Sequence, residues 1–418
     1  DLWQDGGPIA ALGAAGVDLV VAPNASPYER KKDDVRLELA ARRAAEAGAP
    51  LVYCNQVGGQ DDLVFDGGSF VVDPSGDVVA SAEQFVSKVV VADLDLPTGS
   101  GHRSGTFAGL RVERKVLVPD PLPPYRKLAN PQAPPLSDEA EVWSALVLGL
   151  RDYVRKNGFS SVIFGFSGGI DSAVCAALAV DALGPDNVHG VAMPSKYSSA
   201  HSLADAEELA KRLGCGFRVQ PINDMVATYV ETLGLHGLAE ENVQARVRGV
   251  LLMALSNAEG HLVLATGNKT EIAVGYSTMY GDAVGAFAPI KDVFKTHVWQ
   301  LARWRNAEAE RRGETPPIPE NSITKPPSAE LRPGQLDTDS LPDYPLLDDI
   351  LDDYVEGDRG YADLVAAGFD PAVIDRVVRM VDIAEYKRRQ YPPGTKITFK
   401  AFGRDRRLPI TNRWREHH

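Results

Sequence analysis

The sequence has few cysteines and no long apolar run. Its three cysteines, Cys54, Cys175 and Cys215, are odd in number and lack metal-ligand spacing, which argues against a disulfide framework and a zinc site. No apolar stretch approaches the roughly 20 residues that span a bilayer, and no signal segment opens the chain. We therefore expect a cytoplasmic protein with no membrane partner.

Positive charge is also scarce. The sequence has 44 Lys and Arg residues against 57 Asp and Glu residues, a formal net charge of −13. Because a protein that neutralises phosphates along a nucleic acid needs a basic surface, we predict no nucleic-acid partner. A local site can still bind a nucleotide, since a few side chains decide its charge.

Length and composition predict a globular chain of more than one domain. The 418 residues are 44% hydrophobic and 24% charged, and chains of this length contain two or three domains. Seven prolines lie between Pro119 and Pro135, which is typical of an extended linker. We predict a first domain over residues 1–118, a linker over 119–136 and a second domain over 137–418.

The two predicted domains differ in their strand pattern. The first contains a helical segment from Asp33 to Gly48 and short strand-like runs, two of them joined by a Pro- and Gly-containing turn, so we predict α/β structure with antiparallel strands. These runs are Val17–Asn24, Pro50–Tyr53, Ser69–Val72, Val78–Ala80 and Val89–Ala92. The second alternates strands and helices, which indicates a parallel sheet with ligands at the carboxyl ends of its strands. Its strand-like runs are Val162–Phe166, Val188–Ala192, Phe217–Gln220 and Leu262–Ala265.

A glycine-rich loop follows the first strand of the second domain. The residues are Ser167-Gly168-Gly169-Ile170-Asp171-Ser172, and an apolar helix comes directly after them. Two glycines let backbone N–H groups approach a phosphate, and the start of a helix favours an anion. Because Asp171 would repel bare phosphate, it indicates a Mg²⁺ ion between them. The alternative is an ordinary glycine-rich turn whose Ser and Asp side chains cap the helix.

This loop resembles the pyrophosphate loop of ATP pyrophosphatases, which cleave ATP between the α and β phosphates. The segments Thr266–Tyr276 and Tyr280-Gly281-Asp282 are similar to those of the NAD synthetase family within that superfamily. The resemblance implies a Rossmann-like parallel-sheet domain. It also implies ATP-dependent adenylation of the nicotinate carboxylate of deamido-NAD, then amidation by ammonia to give NAD, AMP and pyrophosphate.

The same resemblance implies roles for individual residues. It assigns Asp171 and Glu271 to Mg²⁺ and, with Lys295, to catalysis. The implied ATP-binding residues are Ser167, Gly168, Gly169, Asp171, Ser172, Met193, Ser198, Thr266, Lys295 and Ser328, and the implied deamido-NAD-binding residues are Arg246, Asp282 and Lys325. The alternatives are a helix-start carboxylate for Glu271, a surface lysine for Lys295, a turn aspartate for Asp282 and an incidental lysine in a Pro-rich loop, Asn321–Pro345, for Lys325.

Helical spacing provides a separate argument for the segment Glu241–Leu255. Val243, Val247, Val250 and Ala254 recur at helical spacing, so we expect them to face the core. Arg246 lies beside that stripe and Arg248 lies on roughly the opposite side. We therefore predict that Arg246 faces the nucleotide and that Arg248 is a surface or subunit-contact residue.

The amino-terminal segment resembles the later part of a nitrilase-type glutaminase domain, a partial αββα fold. The resemblance rests on Asp1-Leu2-Trp3, Asn55–Gly59 and Phe65–Ser69. In that family the catalytic Cys, Glu and Lys stand before the Asp-x-Trp, and none of them is in this sequence. We expect either a piece of a longer enzyme or, as the alternative, a truncated domain that serves architecture. In both cases we expect the chain to use ammonia and not to hydrolyse glutamine itself. We expect Cys54 to be a buried structural residue.

The family's synthetase domain is dimeric, so we expect at least a homodimer. Three other functions remain open from the sequence. They are another ATP pyrophosphatase such as a GMP or asparagine synthetase, a non-catalytic nucleotide-binding or scaffold protein, and a stand-alone amidase. The intact Ser167, Asp171, Glu271 and Lys295 argue against a scaffold, and the missing nucleophile argues against an amidase.

Overall fold

Helices and strands alternate along the chain, which a computed structural model describes over residues 2–96, 104–117 and 125–411. The helices are α1 (Gly7–Ala15), α2 (Lys32–Ala47), α3 (Asp138–Lys156), α4 (Ile170–Leu183), α5 (Ala200–Leu213), α6 (Asn223–Leu233), α7 (Leu238–Glu259), α8 (Lys269–Val274), α9 (Lys295–Arg311), α10 (Glu320–Thr324), α11 (Tyr344–Leu351), α12 (Tyr361–Ala366), α13 (Pro371–Ile383) and α14 (Glu385–Arg388). The strands are β1 (Val20–Asn24), β2 (Leu51–Asn55), β3 (Val57–Gln60), β4 (Leu63–Asp66), β5 (Phe70–Val72), β6 (Val78–Ser81), β7 (Gly105–Phe107), β8 (Leu110–Val112), β9 (Val162–Gly165), β10 (Val188–Ala192), β11 (Gly216–Val219) and β12 (Leu262–Val263).

These elements form two compact units. The first comprises Asp1–Gly58 and Val64–Glu141, and the second comprises Gly59–Leu63 and Val142–His418. Within the predicted linker, residues 119–124 lie outside the described residues, and residues 125–136 form neither helix nor strand. None of the helices that the structure describes is both long and apolar enough to cross a bilayer.

The first unit is built on a four-stranded mixed sheet of order β1-β2-β5-β6. Strands β1 and β2 are parallel, whereas β2, β5 and β6 pair antiparallel. The turn between β5 and β6 closes because the Asp73 carboxylate accepts hydrogen bonds from the backbone N–H groups of Ser75 and Asp77. Leu39 and Ala44 of α2 and Leu51 of β2 are buried in the same core cluster. The predicted α/β structure with antiparallel strands is confirmed.

Three local predictions were wrong. Residues 89–92 form no strand, and Val89 and Val91 are exposed, because this alternating run has no neighbouring strand to complete its hydrogen bonds. Cys54 is exposed, since it lies on the outward side of β2. The long Pro-rich segment is not all loop, because α10 occupies its start.

The second unit contains a parallel sheet of order β11-β10-β9-β12. Val188 of β10 pairs with Val162 of β9, which in turn pairs with Leu262 of β12. Helix α4, which follows β9, is buried over most of its surface because its sequence is apolar on every side. The predicted parallel α/β sheet is confirmed, and its carboxyl edge lies at Phe166, Met193 and Leu264.

Candidate active site

The loop between β9 and α4 is closed by its own serine side chains. Ser167 Oγ lies 3.0 Å from Ser172 Oγ and accepts a hydrogen bond from Gly169 N, while Ser172 Oγ donates to Gly169 O. Gly168 has φ +76°, and a Cβ atom there would lie 2.2 Å from Ser202 O. The close approach of the α5 backbone therefore requires glycine at this position.

Two acidic side chains from distant parts of the sequence meet one lysine beside this loop. Lys295 Nζ lies 2.5 Å from Asp171 Oδ2 and 3.2 Å from Glu271 Oε1. The Lys295 side chain is almost fully buried, and each carboxylate keeps less than a fifth of its surface exposed. The two acids thus converge on a single point, as a shared cation requires.

Asn268 connects the two acids through a network that the sequence argument did not include. Its side-chain amide donates to Asp171 Oδ1 at 2.9 Å, and its side-chain oxygen accepts from Glu271 N at 3.0 Å. Asn268 is fully buried and is the N-cap of α8. The spacing Asn268-x-x-Glu271 forms a capping box, which is the signal that could have identified it from sequence.

Burial and mutual repulsion set the charges of this cluster. Burial, reinforced by the nearby Asp171 carboxylate, raises the pKa of Glu271 to about 8, although the Lys295 ammonium opposes that rise. The carboxylates of Asp171 and Glu271 outweigh the cost of burying Lys295 and raise its pKa. Lys295 therefore stays charged at neutral pH.

A cavity of about 840 Å³ opens over this cluster at the carboxyl edge of the sheet. Its volume is within the range of nucleotide and cofactor pockets. Most of the predicted site residues line it: Ser167, Gly169, Asp171, Met193, Ser198, Thr266, Glu271, Asp282, Lys295, Lys325 and Ser328. Gly168 and Ser172 belong to the loop but do not line the cavity, and Arg246 lies apart from it.

The predicted orientation of the two α7 arginines was wrong. Arg248 lines the cavity and its Nε donates to Met193 O at 3.1 Å, whereas Arg246 is exposed and its Nε donates to Met279 O. The error came from including Val250, which is 65% exposed, and Ala254, which is also exposed, in the core stripe. The buried residues of α7 include Gln244, Ala245 and Gly249 as well as Val243 and Val247, so one apolar repeat did not define the orientation of the helix.

The segment after α10 closes one side of the cavity through polar contacts. Lys325 Nζ contacts Ser202 Oγ and Asp205, and the Glu330 carboxylate accepts hydrogen bonds from Ser199 and Ser202 at the start of α5. Further along, the Asp337 carboxylate accepts from the hydroxyls of Tyr276 and Tyr344. Glu330 and Asp337 were missed because nothing local in the sequence indicates these partners.

The donor set fits a magnesium ion shared with a nucleotide. No group of three or more His, Cys, Asp or Glu side chains in the described ranges is arranged to hold a metal. Mg²⁺ in nucleotide enzymes takes one or two carboxylates and completes its octahedron with phosphate oxygens and water. The converging pair Asp171 and Glu271 matches that requirement.

Fold and site together define a class of protein. A parallel sheet with a Ser- and Gly-rich loop, two converging acids and a buried lysine at its carboxyl edge is a nucleotide-binding domain of the ATP pyrophosphatase type. Here it is accompanied by a second, mixed-sheet α/β unit.

The chain belongs to the NAD synthase family. The NAD synthase family model matches residues 142–391, and the carbon-nitrogen hydrolase model matches residues 2–102. The chain is 46% identical to the glutamine-dependent NAD(+) synthetase of Acinetobacter baylyi, over 99% of this chain and 72% of that protein. It is 45% identical to the Thermotoga maritima enzyme of the same name, over 100% of this chain and 74% of that protein.

A solved structure supports the same relationship. The glutamine-dependent NAD+ synthetase of Acinetobacter baumannii, in complex with ADP, is 42% identical and has a TM-score of 0.65. The match covers 97% of this chain and 70% of that chain. The resemblance to NAD synthetases preceded by a nitrilase-like domain is therefore confirmed.

Proposed function

We propose that this chain synthesises NAD from deamido-NAD, ATP and ammonia. The carboxylate of the nicotinate group attacks the α-phosphorus of ATP, an adenylate forms and pyrophosphate leaves. Ammonia then attacks the activated carbonyl carbon, AMP leaves with the bonding electron pair, and the extra proton passes to solvent. The products are NAD, AMP and pyrophosphate.

One observation carries this proposal: Asp171 and Glu271 meet Lys295 beside the phosphate loop, inside a cavity of nucleotide size. Adenylation develops negative charge on the leaving pyrophosphate, and a fixed ammonium stabilises that charge. The loop N–H groups at the start of α4 add donors for the same anion. The remaining acceleration comes from holding carboxylate and α-phosphorus in line.

Asp171 and Glu271 would hold the Mg²⁺ ion. When bound, Mg²⁺ supplies charge neutralisation between these carboxylates and the triphosphate. The residues of the chain have separate tasks: Thr266, Met193 and Ser198 contact ATP, and Asp282 and Lys325, which line the same cavity, contact deamido-NAD. Lys325 and Ser328 close over the phosphates.

We further propose that the protein is at least a homodimer and works in the cytoplasm. Met225, Tyr229 and Leu233 recur every four residues on α6 and are exposed, as are Val250 and Met253 on α7. Such an apolar helical face is typical of a subunit interface. Light scattering on the active protein tests this, and an active monomer would contradict it.

The decisive assay supplies ATP, Mg²⁺, deamido-NAD and ammonium, and separates NAD, AMP and pyrophosphate by chromatography. We expect the three products in equal amounts. A matched reaction with glutamine instead of ammonium tests the expectation that this chain does not hydrolyse glutamine. Failure to release AMP and pyrophosphate with NAD would exclude the proposed reaction.

A further inference from the structure

Helix α9, which begins with the active-site residue Lys295, has no cap of its own. Its N-cap residue is Phe294, which has no side-chain hydrogen-bond acceptor. The first N–H groups of a helix have no partner within the helix and must find one elsewhere when they are buried. Two side chains from other helices provide these partners.

Thr270 of α8 and Asp348 of α11 together cap α9. Thr270 Oγ accepts a hydrogen bond from Lys295 N at 2.8 Å and donates to Asp348 Oδ1 at 2.5 Å. Asp348 Oδ2 accepts from Thr296 N at 2.8 Å. Thr270 is fully buried and Asp348 is 5% exposed, and neither lines the cavity.

This arrangement connects the two helices that supply the site. Thr270 immediately precedes Glu271, so its hydroxyl joins the backbone beside one site residue to the backbone N–H of the other. Lys295 Nζ lies 3.2 Å from Glu271 Oε1, a spacing that depends on how α8 meets α9. A change of a few tenths of an ångström between these helices alters the distance between Lys295 Nζ and the Glu271 carboxylate.

We propose that Thr270 and Asp348 are positioning residues for NAD synthesis: as a buried cap on α9 they set the spacing between Glu271 and Lys295. The inference rests on the proposed function, because that function gives Glu271 and Lys295 their roles. Neither Thr270 nor Asp348 touches substrate. Thr270 acts through Glu271, which follows it in α8, and through its hydrogen bond with Lys295 N. Asp348 acts through its hydrogen bonds with Thr270 and with Thr296 N.

The test uses Thr270→Val, Thr270→Ser and Asp348→Asn in the full chain. Valine keeps the volume of threonine and removes both hydrogen bonds, whereas serine keeps the hydroxyl. The control is Asp181→Asn. It disturbs the ion pair in which the Asp181 carboxylate, near the carboxyl-terminal end of α4, accepts hydrogen bonds from Arg305 of α9. For each variant kcat, KM for ammonium, the melting temperature and Mn²⁺ binding with a non-hydrolysable ATP analogue are measured, the last by electron paramagnetic resonance of free Mn²⁺.

We expect Thr270→Val and Asp348→Asn to lower kcat about 10- to 100-fold and to weaken Mn²⁺ binding about 5-fold, with KM for ammonium unchanged. Thr270→Ser should recover most of kcat. Asp181→Asn should lower the melting temperature without changing kcat or Mn²⁺ binding.

Two results would overturn the inference. One is a Thr270→Val protein that keeps wild-type kcat and Mn²⁺ binding while melting earlier, since the pair would then only stabilise the fold. The other is a Thr270→Ser protein as impaired as Thr270→Val. Failure of the proposed function is distinguishable, because wild type itself would then make no NAD while Mn²⁺ binding still reports on the cap.

Discussion

The two ends of the parallel sheet both carry polar clusters, yet only one is built as a site. At the amino end, Ser161 Oγ lies 2.7 Å from His261 Nδ1, His261 Nε2 lies 3.3 Å from Glu259, and Glu259 pairs with Arg218. At the carboxyl end, Asp171 and Glu271 share one lysine beneath a cavity of about 840 Å³. None of the amino-end residues lines that cavity.

The difference lies in how charge is balanced. At the amino end each group faces a partner of opposite charge or a complementary hydrogen-bonding partner. At the carboxyl end the two acids Asp171 and Glu271 face the single base Lys295. Asn268 keeps the two acids together, because its amide donates to the Asp171 carboxylate and its oxygen accepts from Glu271 N. Such an imbalance is costly in a buried place and is typical of a site that completes its charge with a ligand.

Asp171→Asn should produce the largest effect. Removing this carboxylate takes away a proposed metal ligand and a partner of Lys295, so we expect kcat for NAD synthesis to fall on the order of 10³-fold. Steady-state kinetics with ammonium provide the measurement, and circular dichroism checks that the fold is kept. Asp181→Asn, on the same helix, should stay within about twofold of wild type. Equal activity of the two variants would remove the distinction between the two ends.

Glu271→Gln should change the pH dependence of stability. The pKa of Glu271 in the folded protein, about 8, lies above the ordinary value of 4.5. The unfolded chain therefore ionises first, and stability that is fully present below pH 4.5 is lost as the pH rises towards 8. Glutamine cannot ionise, so this loss, roughly 3–4 kcal/mol between pH 5 and pH 8, should disappear. Urea unfolding at pH 5 and pH 8 with EDTA measures it.

The control for that experiment lies at the amino end. The hydrogen bond from Arg218 lowers the pKa of Glu259. The stability that Glu259 contributes is therefore lost only as the pH falls below 4.5, the ordinary pKa of a glutamate. Glu259→Gln should therefore leave the difference between pH 5 and pH 8 as it is in wild type. If both variants flattened the profile equally, the charge imbalance would not be specific to the carboxyl end.

The comparison also separates what the sequence could predict from what it could not. The bounds of β10, Val188–Ala192, follow from an apolar run that ends at Met193-Pro194, and the loop at Ser167–Ser172 follows from strand, glycines and helix in order. Arg248 could not be placed, because the buried residues of α7 include polar and small ones such as Gln244 and Gly249, which an apolar repeat does not identify. Asp348 lies 78 residues from Thr270, so only the fold brings them together.

Asp181→Asn should affect stability alone. The Asp181 carboxylate accepts hydrogen bonds from Trp143 Nε1 and from Arg305 Nε and Nη2, all between 2.8 and 3.0 Å. Because Asp181 is about a quarter exposed, solvent screens the ion pair, and we expect a loss of about 1–2 kcal/mol in the free energy of unfolding. Urea titration measures this loss, and an unchanged midpoint would show that the pair contributes nothing.

His261→Ala should have the smallest effect and is the most direct test of the amino end. Alanine removes the partner of the buried Ser161 hydroxyl and the ring that packs 4.1 Å from His189. We expect a loss of about 1 kcal/mol in stability from the unpaired hydroxyl, with kcat and KM unchanged. The strand ends that carry Ser161 and His261 pair through Leu262 N and Ser161 O, so the backbone keeps the sheet in register without the imidazole. A fall in kcat larger than about threefold would mean that the amino end is coupled to the site, and the contrast between the two ends would have to be abandoned.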